Sequence, residues 1–257
     1  MDEDAIRKAL KDLPIPAVRY FARVGSTNDE ALAWGDRGGL DLSLVVADEQ
    51  TAGRGRLGRK WFTPPGAALA FSLVLRPRPA ERASPGLITG LGAVALVDAL
   101  EGHHLKARIK WPNDVLVGGR KVAGILVETT WAGSEIQNLV IGMGVNILQA
   151  AVPSAELLNF PATSVEGASK GEVDRLEFLV GILTSMVRRR PLIGTEEFLR
   201  LWESALAYRG ENVQVQTGEG EPVNGRISGL ETDGSLRLVD GDRTRIVRFG
   251  EVHLRPS

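Results

Sequence analysis

An α+β fold with a largely antiparallel sheet, followed by a small all-β unit, is what the sequence predicts. Branched-residue runs that read as strands are joined by short turns, where a doubly wound parallel fold would place a crossover helix each time. Beyond Gly210 the chain changes to short alternating segments separated by Gly218, Gly220, Gly225, Gly234 and Gly241, a pattern that suggests a small barrel. With 257 residues, 43% hydrophobic and 25% charged, there is material for one substantial core and a second small unit. The expected division is 1–209 and 210–257.

In chain order, residues 2–11 read as a short amphipathic helix with Ile6 and Leu10 on one face, closed by Pro14 and Pro16. Residues 18–24 read as a strand. Ser26-Thr27-Asn28-Asp29-Glu30, ahead of Ala31-Leu32-Ala33-Trp34, carries the residues of a helix N-terminus: a hydroxyl at the cap and carboxylates in the first turn. Capping accounts for one hydroxyl, whereas three consecutive hydrogen-bonding side chains also suit an amide-like or ureido-like ligand; both roles stay open. Strands are predicted over 43–49, 67–75, 108–111, 115–117, 122–127 and 137–147. A helix over 86–100 is expected to be buried from the spacing of Leu87, Leu91, Val94, Ala95 and Leu96, and two more helices over 173–190 and 195–206. The later strands are centred on Val213-Gln214-Val215, Arg226-Ile227-Ser228, Leu236-Arg237-Leu238 and Arg245-Ile246-Val247. This unit holds no catalytic cluster and reads as a docking or packing module.

Composition excludes several chemistries. The chain has no cysteine, so disulfides, thiolate catalysis and sulfur-ligated zinc are out. His103, His104 and His253 form no metal-spaced cluster, and a Ser-His-Asp mechanism finds no support. A formal net charge of -1 argues against polyanion binding over the whole surface. The acidic Met1-Asp2-Glu3-Asp4 start is unlike a secretory signal and no apolar run reaches membrane-spanning length, so a cytoplasmic protein without a membrane partner is expected.

Two segments point to chemistry. Gly53-Arg54-Gly55-Arg56-Leu57-Gly58-Arg59-Lys60-Trp61 packs three glycines, four cations and an indole into a segment that cannot be core. It reads as a mobile anion-gripping loop, with charge-assisted donors for phosphate and a flat surface for a base. Its Gly53-x-Gly55-x-x-Gly58 spacing matches the dinucleotide fingerprint, but Trp61-Phe62-Thr63-Pro64-Pro65-Gly66 stands where a helix must open. A P-loop needs Lys-Ser/Thr directly after its second glycine, and Arg59-Lys60-Trp61 takes that place. A solvated charged loop or a basic nucleic-acid contact remains the plainer reading. The second segment runs from Lys110-Trp111-Pro112-Asn113-Asp114 to Glu128. If Gly118-Gly119 makes a two-residue hairpin turn, Leu116 faces Lys121, Asp114 faces Ala123, and Lys110, Asp114 and Lys121 share one face. A solvated hairpin face explains these charges too, yet Gly124 leaves room for a ligand or loop to come close.

Together these pieces resemble the biotin protein ligases. Ser26-Thr27-Asn28, the arginine-rich loop, Lys110-Trp111-Pro112-Asn113-Asp114, Lys121-x-Ala123-Gly124-Ile125-Leu126-x-Glu128 and Gly142-x-Gly144-x-Asn146 occur in the family's order. The resemblance is strong over 18–147 and weak through the C-terminal unit. It implies a catalytic domain like that of class II aminoacyl-tRNA synthetases followed by an SH3-like barrel. It also implies a two-step reaction: biotin and ATP give biotinyl-5'-AMP, and a lysine of a biotin carboxyl carrier protein then displaces AMP, with Mg²⁺ required. The carrier would belong to acetyl-CoA carboxylase or another biotin-dependent carboxylase.

By motif, Ser26, Thr27, Asn28, Gln50, Arg54, Gly55, Arg56, Lys121 and Gly124 fall to biotin. Arg54, Arg56, Arg59, Trp61, Lys110, Asn113, Lys121 and Asn146 fall to ATP, and the catalytic set is Lys121, Arg56, Asp114 and Lys110, with metal ligands unassigned. Leu57 stands where the family often has a basic residue. Only about twenty-five residues precede Ser26, too few for a helix-turn-helix domain, so no DNA partner is expected; a homodimer is compatible with the resemblance. A lipoate ligase is the same-fold alternative, and a nucleotide-sensing or RNA-binding protein is the alternative without chemistry.

Overall fold

The computed structural model describes residues 1–218, 220–248 and 250–254. Its first sheet has seven strands: β1 (Val18–Val24), β2 (Ser43–Gln50), β3 (Ala68–Leu75), β4 (Ala107–Lys110), β5 (Asp114–Val117), β6 (Arg120–Ala132) and β7 (Glu135–Asn146), ordered β1-β2-β3-β7-β6-β5-β4. Only the β1–β2 pair is parallel; every other pairing in this sheet is antiparallel. The expected mixed, largely antiparallel α+β sheet is therefore present. β6 and β7 run longer than the sequence suggests, because Glu128-Thr129-Thr130-Trp131 continues the ladder beyond the apolar run.

Alternation along the strands assigns the two faces. Leu69, Phe71, Leu73 and Leu75 of β3 and Leu139, Ile141, Met143 and Val145 of β7 belong to the main core. That core is closed by α4 (Gly86–Gly102), α6 (Arg175–Arg189) and α7 (Glu196–Ser204), with α1 (Glu3–Ala9) at its margin. The intervening residues Ala70, Ser72, Gly142, Gly144 and Asn146 face the other way. α2 (Thr27–Asp36) covers part of that second face, packing Ala31 on Val45, Val74 and Val140. The rest of it is left to small residues. Two short helices, α3 (Pro79–Ala83) and α5 (Val165–Ser169), were not anticipated.

The C-terminal unit is a five-stranded antiparallel sheet of β8 (Asn212–Gln216), β9 (Val223–Leu230), β10 (Leu236–Asp240), β11 (Arg243–Val247) and β12 (Glu251–Leu254), ordered β11-β10-β9-β8-β12. Four of these strands match the alternating segments; β12 went unread. The sheet does not form a core of its own. Val213, Val215, Ile227, Leu230, Leu236, Leu238 and Val247 belong to the same buried cluster as the helices behind the large sheet. Polar ties reinforce the junction: Trp111 Nε1 donates to the Gly234 carbonyl at 3.0 Å and Leu230 N–H donates to Glu203 at 2.6 Å.

Candidate active site

One transverse row of the large sheet builds the floor. Ala47 pairs with Ala70, Ala70 with Gly144, Gly144 with Gly124, Gly124 with Asp114, and Asp114 with Lys110. Small residues thus lead across four strands to a carboxylate and an ammonium. The hairpin register departs by one residue from expectation: Asp114 faces Gly124, where Ala123 was expected. A bulge between Val115 and Leu116 in the β5–β6 ladder is responsible, since Leu116 opposes Lys121 but Val115 opposes Ala123. Each bulge adds one residue to one strand and reverses the facing of the residues beyond it. Gly124 is thereby turned to the site and Ala123 to the core.

Gly118 and Gly119, with φ of 56° and 73°, form the two-residue turn the sequence called for. The expected convergence on one face is also present. Lys121 Nζ lies 2.6 Å from Asp114 Oδ1, both largely buried, and the Lys121 chain runs over Gly124. Lys110 is buried and its ammonium lies 4.3 Å from the Phe160 ring centre. The Lys121 backbone is held by the segment after β7: it donates to Pro161 O and accepts from Thr163 N–H, each at 2.8 Å.

The arginine-rich segment is a hairpin. Gly55 N–H donates to Arg59 O and Trp61 N–H to Gly53 O, while Leu57 at its tip has φ 56°. Its stem is anchored by charge. Arg54 donates to Asp29 at 2.5 Å and to Glu128 at 2.9 Å, and the hydrogen bond to Asp29, offset in part by burial and aided by Glu128, holds its guanidinium more firmly protonated than usual. Arg56 donates to Asn113 Oδ1 and to the Gly250 carbonyl, each at 3.2 Å, so the hairpin touches both the β4–β5 turn and the C-terminal unit. Arg59 is exposed at the rim. Trp61 folds back beneath the hairpin: its indole covers Gly124 and Gly144, and a Cβ on Gly144 would collide with it. Its Nε1 is buried without a hydrogen-bond partner among the described residues. The Lys121 ammonium is 5.4 Å from this ring.

At the start of α2 the polar cluster is present, but its side chains do not cap the helix. Ser26 occupies the N-cap position, yet its side chain makes no capping bond. Thr27 instead gives its N–H and hydroxyl to Gln50 Oε1, at 2.8 and 3.0 Å. Ser72 Oγ lies 2.6 Å from Asn28 Oδ1, to which it gives its single proton, and 2.8 Å from Thr27 Oγ1, and Asn28 donates to Glu128 at 2.6 Å. Gly142 permits this, because any Cβ there would strike the Asn28 amide. Asn146 is buried nearby and donates to Thr163 O at 3.1 Å. Glu128, Asp29 and Ser72 are site residues to which sequence reasoning gave no ligand-side role. Glu128 stands in the Lys121–Glu128 motif, and a carboxylate directly after the apolar run Ile125-Leu126-Val127 was the available signal. Among the described residues no group of three or more histidines, acids or cysteines could hold a metal ion.

A glycine floor, a half-buried ammonium–carboxylate pair and an arginine hairpin beside a polar helix start set fixed positive charge over bare backbone, an arrangement suited to an anionic ligand. The family model described as biotin/lipoate A/B protein ligase matches residues 20–146, and that for the biotin protein ligase C-terminal domain matches 209–255. The biotin–[acetyl-CoA-carboxylase] ligase of Paracoccus denitrificans is 38% identical over 242 residues, covering 90% of this chain and 98% of that protein. A bifunctional ligase/repressor of Bacillus spizizenii is 33% identical over 259 residues, covering 99% of this chain and 79% of its own. In structure, the biotin protein ligase of Aquifex aeolicus in complex with biotin and ATP matches with a TM-score of 0.79 at 29% identity, covering 95% of this chain and 100% of that one. The chain belongs to the biotin protein ligase family.

Proposed function

We propose that this chain is an ATP-dependent ligase that activates biotin as biotinyl-5'-AMP and transfers the biotinyl group to one lysine of a biotin carboxyl carrier protein of acetyl-CoA carboxylase or another biotin-dependent carboxylase. The observation that carries this reading is the Lys121–Asp114 pair laid over Gly124 beneath the arginine hairpin. In the first step a biotin carboxylate oxygen attacks the α-phosphorus of ATP; the bond to the bridging oxygen breaks and pyrophosphate leaves. Two anions must meet, so fixed positive charge lowers the barrier. Lys121 bridges carboxylate and α-phosphate, and Arg54, Arg56, Arg59 and Lys110 add charge around the polyphosphate. Mg²⁺ bound to ATP would offset charge on the leaving pyrophosphate, held mainly by phosphates and water.

In the second step the carrier amine attacks the acyl carbon, the bond to AMP breaks and an amide forms. Asp114 orients the amine and takes its proton. Once Lys121 turns to the phosphate, Asp114 is released for that task. Ser26, Thr27, Asn28 and Gln50 receive the biotin head group, and Gly55 and Gly124 let backbone and ligand meet closely. Trp61 flanks adenine after leaving the Gly124–Gly144 floor, and Asn113 and Asn146 line the nucleotide side.

In finer terms, residues 1–209 form a catalytic domain of class II aminoacyl-tRNA synthetase type and 210–257 an SH3-like barrel. The balanced charge favours a protein partner over DNA; a cytoplasmic homodimer fits the same reading. Among the described residues no helix is long and apolar enough to cross a membrane. Biotin-dependent pyrophosphate release, run beside lipoate, tests the function: release with lipoate and none with biotin would overturn it.

A further inference from the structure

A hollow of about 350 Å³ lies at the outer edge of the large sheet, between β4, the Gly118–Gly119 turn and the segment leading into β8. Its place relative to the active site is set by the register. Arg108 pairs with Leu116, the next rung from the Lys110–Asp114 pair on the same face, while Ala107, Ile109, Val115 and Val117 go to the core. Two residues along a strand span about 7 Å, so the hollow opens one rung from Asp114. Leu116 and Leu206 give it a buried apolar floor, and Lys106, Arg108 and Arg209 stand exposed on its wall beside a single acid, Glu211. The neutralisation of these cations is incomplete. Arg209 reaches Glu203 only at 3.6 Å, and among the described residues Arg108 donates only to its neighbour's carbonyl, Ala107 O.

We infer that this cationic hollow receives an acidic stretch of the carrier protein next to its target lysine, an inference that rests on the ligase reading above. A lysine whose ammonium reaches Asp114 keeps its backbone a side chain's length from that carboxylate, and the acids of its neighbours extend about as far again, which brings the hollow within their reach. Exposed cations on a concave wall steer an acidic partner and fix its register. Neither Lys106 nor Arg108 belongs to the hairpin, the floor or the α2 start, so adenylation does not depend on them.

The test uses the full chain carrying K106E and R108E together. Biotin-dependent pyrophosphate release without carrier should stay within about twofold of the parent, since no adenylation group is altered. The KM for an isolated cognate biotin carboxyl carrier domain should rise about tenfold or more with kcat retained, and its growth with added NaCl should flatten. Changing the carrier's acids beside its lysine to glutamine should raise the parent's KM and leave that of the variant unchanged, the coupling expected of direct partners. An unchanged carrier KM, or effects of the two changes that simply add, overturns the docking surface. Impaired adenylation in the variant overturns it as well, by placing these cations in the first step. A parent chain that releases no pyrophosphate with biotin fails at the ligase reading itself, and the carrier-free assay tells the two failures apart.

Discussion

Glu128 accepts from Arg54 and Asn28 at once, so a single carboxylate ties the arginine hairpin to the start of α2. Glu128→Gln keeps the size but removes the charge, and hydrogen bonds to charged groups contribute roughly 1.5–3 kcal/mol. The KM for biotin should rise about tenfold or more, alongside a fall of a few degrees in melting temperature; an unchanged KM would deny the tie any functional weight. Lys121→Ala should lower biotin-dependent pyrophosphate release about a hundredfold or more, because a cation at the reacting oxygens acts chiefly in the transition state. Near-parental release with an intact melting transition would remove Lys121 from that role. The clustering of Lys121 with Asp114 was legible because residue type and order along the hairpin mark it. Glu128 was not, since its meaning depends on β6 lying beside a helix start 100 residues earlier in the chain. The bulge that turns Gly124 toward the site leaves no mark on residue type either.

Between elements, Asp98 joins α4 to α6: it accepts from Ser185 at 2.5 Å, Arg188 at 3.0 Å and Arg189 at 3.1 Å. Burial works to raise its pKa, but the hydrogen bonds from Arg189 and Ser185, with the nearby charges, outweigh it and hold the carboxyl below its ordinary value. A carboxyl depressed in the folded state contributes stability above its unfolded pKa of about 3.9, and that contribution is lost as pH falls through the folded value. Asp98→Asn should therefore destabilise by about 1–2 kcal/mol at neutral pH, and the gap to the parent should close in acid. Denaturant melts across the pH range check this; a gap independent of pH would mean that packing, and not charge, joins these helices. Local signals placed most elements well, with the Gly118–Gly119 hairpin read from its turn alone. β12 was missed because four residues with no periodic run become a strand only by pairing with β8.

For the whole molecule, the continuity of the core decides what the C-terminal unit does. A chain ending at Arg209 would bare the apolar surface against which Val213, Ile227, Leu230 and Leu236 pack, and would strip Trp111 and Glu203 of their partners. Exposed patches of that kind destabilise or aggregate. Adenylation, carrier transfer and the melting transition should all be lost together, and a truncated chain that still forms biotinyl-5'-AMP would contradict the shared core. The sequence marked this unit by composition. It could not show that the unit lacks a core of its own, nor that β3 pairs with β7 across an intervening helix and hairpin, because both rest on contacts between distant segments.

The row of paired small residues also has a metric consequence. Ser72, beside the polar cluster of α2, stands on β3, and Lys121 lies over Gly124 on β6, two strand positions away. Neighbouring strands keep a spacing of about 4.8 Å and two residues along a strand span about 7 Å, which puts the two stations roughly 12 Å apart, since Ser72 pairs with Gly142, one rung from the Gly144–Gly124 pair. Backbone hydrogen bonds, common to every sequence that adopts this sheet, set that interval. On the proposed placement of biotin this interval gauges the acid by length: a biotin homologue with one methylene removed should still seat its head group yet leave its carboxylate short of Lys121. Such a homologue should compete with biotin while releasing little pyrophosphate, and efficient release from it would show that the gauge is slack.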